Sequence, residues 1–171
     1  MGNDYKVDFF PVTEPVIGGT ASRVMSLRDG TKKMSKSDPS DLSRINMGDD
    51  ADTIFLKFKK AKTDAGALPS EIPGLKNRPE AENLVTIYSA LSNQSIESTL
   101  KEVGGKQFSE FKPILAERAV ELLSPISTEM NRLMQNSEEI DIILSKGADR
   151  ARKIAGPILQ KTYEIIGMLQ P

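Results

Sequence analysis

The sequence predicts a mainly α protein. From Asp49 onward apolar residues recur at helical spacing in one segment after another, and the Ser, Pro and Gly residues between those segments are of the kinds that start and stop helices. Residues 3–38 carry no such period. Tyr5, Val7, Phe9 and Phe10 approach alternation before Pro11, and Pro15 and Gly18-Gly19 break any regular element beyond it. Val24-Met25-Ser26-Leu27 is too short for pattern to separate a strand from a buried turn.

The first helix starts at Asp49 as N-cap, with Asp52 at its third position and an apolar stripe of Ile54, Phe55, Phe58 and Ala61. Lys57, Lys59, Lys60 and Lys62 read as its solvated face, with contact to a phosphate backbone as the alternative. A loop with Gly66, Pro69, Pro73 and Gly74 leads to a second helix with Pro79 at N1 and Leu84, Ile87, Tyr88 and Leu91 inward. Ser95 caps a short helix carrying Ile96, Leu100 and Val103, stopped by Gly104-Gly105. A long helix over residues 109–134 presents Phe111, Leu115, Ala119, Leu122, Ile126, Met130 and Leu133, with a kink or interruption at Pro125. Ser137 caps a further helix with Ile140, Ile143 and Leu144 inward and Gly147 at its end. The last, residues 148–169, runs through Ala151, Ala155, Ile158, Thr162, Ile165 and Leu169, with a kink at Pro157. Each stripe reads as core, so the helices form a bundle that buries one face of each.

Composition narrows the chemistry. The 171 residues include 23 basic and 24 acidic side chains, a net charge of -1, so any nucleic-acid contact rests on local clusters. Arg118 and Arg132 on the long helix and Arg150, Lys153 and Lys161 on the last are such clusters, with Tyr163 the only aromatic among them. There is no cysteine and no histidine, which excludes disulfides, thiolate nucleophiles, the usual zinc ligands and imidazole catalysis. No run is long and apolar enough to span a bilayer, and the start lacks the apolar core of a signal peptide; the cytoplasm is the expected compartment.

The densest chemistry lies in Lys33-Met34-Ser35-Lys36-Ser37, entered through Asp29-Gly30-Thr31 and left through Asp38-Pro39. Turn residues on both sides place it on a loop. Lysines supply mobile positive charge, serine hydroxyls supply donors, and a turn can aim backbone N–H groups at the same oxygens, a combination suited to a polyphosphate.

That string resembles the KMSKS signature of class I aminoacyl-tRNA synthetases. Arg23-Val24-Met25-Ser26-Leu27, Thr31 through Pro39, and Phe10-Pro11-Val12-Thr13-Glu14-Pro15 resemble the tryptophanyl branch of that family, although Gly30 stands where many of its members carry proline. The resemblance implies the end of a class I Rossmann-type catalytic domain in residues 1–47, including the KMSKS loop, followed by a helical anticodon-binding bundle in residues 48–171. It implies an ATP-dependent ligase that activates tryptophan and transfers it to tRNA-Trp. Lys33 and Lys36 are then catalytic, and Val24, Lys33, Met34, Ser35, Lys36 and Ser37 contact ATP. ATP with Mg2+ is bound in the complete enzyme and neither is held tightly by this stretch alone. The tryptophan is contacted mainly by an N-terminal half, the enzyme is a homodimer, and no membrane is involved. The family's His-x-Gly-His-type sequence is not in this chain, so the chain is expected to be a C-terminal portion, inactive alone. It is also expected that Val24–Leu27, parted from a parallel sheet, lose their apolar partners. A free-standing helical RNA-binding module is the alternative reading, and a structural helical protein with an incidental basic loop a third.

Overall fold

A computed structural model describes residues 8–19 and 21–168. The expected alternation through Tyr5 and Val7, and the last stripe position, Leu169, lie outside them. The chain divides into two compact units: Ile17–Asn131, and a second made of residues up to Val16 with those from Arg132 onward.

The first unit contains a 3-10 turn at Asp41–Ser43, helix α1 (Ala51–Lys60), a 3-10 turn at Ile72–Leu75, helices α2 (Pro79–Leu91) and α3 (Ile96–Val103), and most of α4 (Phe108–Met134). Its core joins Ile54 and Phe58 of α1, Leu84 and Val85 of α2, Leu100 and Val103 of α3, and Phe111 and Leu115 of α4. The Tyr88 and Phe111 rings meet edge to face at 5.7 Å, and the Tyr88 hydroxyl donates to Glu102 at 2.8 Å. Local signals set the helix starts. Pro79 occupies the first turn of α2, and the Ser95 hydroxyl accepts from Ser98 N at 3.1 Å to cap α3. The cap of α1 is Asp50, which accepts from Thr53 N at 2.8 Å, and not Asp49. Arg78 forks onto Asp64 at 2.9 and 2.6 Å and donates to the Ala67 carbonyl at 2.8 Å, closing the loop before α2.

The expected Rossmann-type end is overturned. A Rossmann-type domain needs a parallel sheet, and among the described residues the only β pairing is one isolated antiparallel bridge, Met25↔Lys33. The backbone around it is satisfied otherwise: Leu27 N–H donates to the Ser43 carbonyl at 2.9 Å and the Leu27 carbonyl accepts from Lys62 N at 2.8 Å. Nor does Leu27 lose its apolar partners, since it is 1% exposed within the core of the helices.

In the second unit, α5 is one helix of 30 residues, Ser137–Ile166, capped by Asn136 and closed by Gly167 at φ 72°. Two expectations fail. Gly147 does not end a helix, because it keeps negative φ inside a continuing ladder, and Asn136 takes the capping role given to Ser137. The stripe read as core holds no buried residue: Leu144 is 63% exposed and Ile154 71%. Among the described residues this unit has no second layer for that face, and a stripe is buried only when something faces it. The stripe of α4 behaves similarly beyond Ala119, with Leu122, Ile126 and Met130 exposed. Pro113, Pro125 and Pro157 all lie inside continuous helices, so no interruption occurs; each withdraws one N–H from the ladder while its neighbours hold the turn.

Candidate functional site

The lysine loop grows from a small antiparallel hairpin. Ser26 N–H donates to the Lys32 carbonyl at 2.8 Å and Met34 N–H to the Val24 carbonyl at 3.0 Å, placing Met25 opposite Lys33. At the turn, the Asp29 carboxylate accepts from Thr31 Oγ1 at 2.6 Å and Thr31 N at 3.1 Å, and Lys32 Nζ stands 3.2 Å away. These donors, the Thr31 hydroxyl foremost, lower the Asp29 pKa to about 2 from the ordinary 3.8. A carboxylate with a depressed pKa stabilises the folded form above its unfolded pKa and loses that contribution as pH falls through the folded one. The turn is therefore expected to keep its full Asp29 contribution above about pH 4 and lose it towards pH 2. Nuclear magnetic resonance titration of the Thr31 amide shift checks this, and a midpoint at 3.8 or above contradicts it.

Gly30, at the tip, is buried against the start of α2. A Cβ there would sit 2.5 Å from the Pro79 carbonyl carbon and 2.6 Å from Glu80 N, both backbone atoms that cannot turn aside. The position is fixed by close approach to α2. Beside it, Glu80 pairs with Lys62 at 2.8 Å, and that bond is the main cause of the lowered Glu80 pKa.

Beyond the hairpin the loop turns on its serines. The Ser35 and Ser37 hydroxyls lie 3.0 Å apart, Ser37 N–H donates to Ser35 Oγ at 3.3 Å, and Asp38 N–H donates to the Ser35 carbonyl at 3.4 Å. Met34 packs against the core. Lys33 and Lys36 are exposed and make no ion pair among the described residues, whereas Lys32 is held by Asp29. The structure thus brings all six proposed ATP contacts, Val24 and Lys33 through Ser37, onto one short hairpin and its turn, with two ammonium groups and two hydroxyls open to a ligand.

A polar cluster around the buried Lys57 holds the exit. Arg44 Nη1 donates to the Asp38 carbonyl at 2.9 Å, and Nη2 pairs with Asp41 at 3.0 Å. Asp41 also meets Asn46 Nδ2 at 3.0 Å and Lys57 Nζ at 2.7 Å, and Lys57 reaches Asp49 at 2.5 Å. Lys57 first and Asn46 next lower the Asp41 pKa. Lys57 is 1% exposed, which corrects its assignment to the solvated face. The signal was in the sequence: Lys57 follows Ile54 by three and precedes Ala61 by four, on the inward stripe. Arg44, Asn46 and Asn83 carried no such signal.

Of the basic groups on the helices, Arg118 lies beside Glu121, Arg132 pairs with Glu139 at 2.8 Å and Lys161 with Glu164 at 2.8 Å. Arg150 and Lys153, both on α5, are exposed and make no ion pair among the described residues. No described helix is long and apolar enough to cross a membrane, and no group of three or more acidic side chains among the described residues could hold a metal ion.

Residues 3–124 match the family model described as tRNA synthetases class I (W and Y). The chain belongs to that family. Within the class I (W and Y) synthetases it is 65% identical, over 162 residues, to a tryptophan–tRNA ligase of Rhizobium meliloti, covering 95% of this chain and 46% of the relative. It is 41% identical over 165 residues to the chloroplastic/mitochondrial tryptophan–tRNA ligase of Arabidopsis thaliana, covering 94% of the chain and 39% of that relative. The crystal structure of tryptophanyl-tRNA synthetase from Mycoplasma pneumoniae superposes with a TM-score of 0.72 at 26% identity, covering 88% of this chain and 47% of that one. The chain spans about half the length of the first of these ligases and of the Mycoplasma protein.

Proposed function

We propose that this chain is the C-terminal portion of a tryptophan–tRNA ligase, in which residues 1–47 carry the ATP-facing loop and residues 48–171 receive tRNA-Trp. The observation that carries the reading is the pair of exposed lysines, Lys33 and Lys36, alternating with two hydroxyls on a framed turn. ATP is the substrate that suits this donor set. When the carboxylate of tryptophan attacks the α-phosphorus, a carboxylate oxygen–phosphorus bond forms, the bond from the α-phosphorus to the bridging oxygen breaks, and pyrophosphate leaves with that electron pair. Lys33 and Lys36 meet the charge that gathers on the departing oxygens, Ser35 and Ser37 donate to phosphate, and the main chain of Val24 lies along the base. Positive charge placed where negative charge develops lowers the barrier more than it strengthens ground-state binding. Mg2+, bound with the phosphates, would supply further charge neutralisation. Arg150 and Lys153 are the cations we assign to tRNA, and the cytoplasm, where the related bacterial ligases would work, is the proposed compartment, with the complete protein a homodimer.

The test joins this chain to the N-terminal part of the Rhizobium meliloti relative, whose matched portion is 65% identical. Tryptophan-dependent exchange of pyrophosphate into ATP is expected from the joined protein and not from the 171-residue chain alone. Absence of exchange in a folded joined protein overturns the reading, as does robust exchange by the chain freed of full-length enzyme.

A further inference from the structure

One polar side chain in the core is explained by none of the chemistry above. Asn83, on α2, is 5% exposed. Its Oδ1 accepts from Met25 N–H at 2.9 Å and its Nδ2 donates to the Met25 carbonyl at 2.9 Å, with a second contact to the Ser26 carbonyl at 3.4 Å. A neighbouring strand would exchange the same two bonds with a residue of its partner. The Val24–Ser26 stretch is therefore bonded on both edges, through Val24 and Ser26 to the other arm of the hairpin and through Met25 to a carboxamide.

This double pairing fixes register. Strand side chains alternate between faces, so a slip of one residue in the hairpin would take Met34 off the core and turn Lys33 to the side Met34 now occupies. A carboxamide offers one acceptor and one donor side by side in one plane, and glutamine would carry them a methylene too far. Gly30, seated on the backbone of Pro79 and Glu80, brings the hairpin within reach of Asn83 one turn further along α2.

We propose that Asn83 is a positioning residue for the lysine loop: by supplying both hydrogen bonds of an absent strand to Met25, it sets the register of the hairpin and with it the stations of Lys33 and Lys36. Helix α2 thereby controls a phosphate-facing loop that it does not itself extend. The role in register rests on geometry alone, and its consequence for catalysis rests on the function proposed above.

Two arms test it. In the 171-residue chain, Asn83→Ala removes both bonds without burying a charge, and a cleft of about 330 Å³ beside Met25 and Asn83 admits water to the exposed peptide. Trypsin cleavage after Lys33 and Lys36, followed by mass spectrometry, is expected to accelerate about tenfold, while cleavage after Lys101 and Arg118, on helices of the same unit, stays constant as a control for unfolding of that unit. Asn83→Asp, which keeps the acceptor for Met25 N–H but buries a carboxylate oxygen against the Met25 carbonyl, is expected to accelerate loop cleavage at least as much. Unchanged cleavage at the loop in a folded variant, or equal acceleration at all four sites in both variants, overturns the proposal.

In the joined full-length protein, Asn83→Ala is expected to lower kcat of pyrophosphate exchange about tenfold with the KM for ATP changed less than threefold, and to cost clearly less when Lys36 is already alanine, since only Lys33 is then left to misplace. Simple multiplication of the two losses overturns the catalytic consequence. If Lys36→Ala alone leaves exchange unchanged, the proposed function has failed, and the proteolysis arm still decides the role of Asn83.

Discussion

Replacing Lys36 with alanine in the full-length protein is expected to slow adenylate formation by a factor of about 30 to 1,000, equivalent to about 2–4 kcal/mol of transition-state stabilisation, with little change in ATP affinity. Lys36 lies between Ser35 and Ser37 on the exposed part of the turn, and its ammonium makes no ion pair among the described residues. It can move onto the departing pyrophosphate as charge builds there without first breaking another contact. Lys32 lies only four residues away but is held by Asp29 at 3.2 Å, so Lys32→Ala should cost much less and act through long-range charge. Transfer of tryptophan from preformed adenylate to tRNA should be nearly unaffected by Lys36→Ala, because the pyrophosphate has already gone. Pre-steady-state measurement of the two steps separates the cases. Equal losses in both, or a loss confined to ground-state ATP binding, rejects this role for Lys36.

Lys57→Ala is expected to destabilise the Ile17–Asn131 unit by about 3 kcal/mol or more. The Lys57 side chain is 2% exposed and neutralises Asp49, itself 10% exposed, so its removal leaves a nearly buried carboxylate with no cation and opens a cavity where the side chain lay. Asp41 would lose the bond that most lowers its pKa, and Arg44, which holds the Asp38 carbonyl, would lose a fixed partner. The loop exit should loosen together with the fold. Urea denaturation followed by far-ultraviolet circular dichroism measures the loss. Restoring volume but not charge with Lys57→Met should recover only part of it, and adding Asp49→Asn should recover more, because the stranded carboxylate is then gone. A loss below about 1 kcal/mol for Lys57→Ala would show that water or rearrangement already satisfies Asp49.

Wherever the deciding interaction is local, the sequence by itself determined the outcome. Ser95 capping α3, Pro79 opening α2, Gly104-Gly105 closing α3, and the stripe through Phe111, Leu115 and Ala119 all depend on residues within one or two turns of each other. The placement of the five consecutive residues Lys33 to Ser37 on an exposed turn was legible for the same reason. The tertiary structure decided what distant partners control. Asp49 and Asp50 are equally good caps in isolation, and Lys57, eight residues past Asp49, draws one of them away. Gly147 looks like a stop, yet glycine ends a helix only where the chain leaves helical φ, which here waits until Gly167. The apolar stripe of α5 promised a core, but periodicity states that a face is apolar and not that anything covers it. The expected Rossmann-type end gave way to a single bridge, and at Met25 a side chain 58 positions along the chain makes the two bonds that a strand would. Such a substitution is invisible in sequence: a lone asparagine on a helix has no period, and only the fold brings it to the one residue whose N–H and C=O it satisfies.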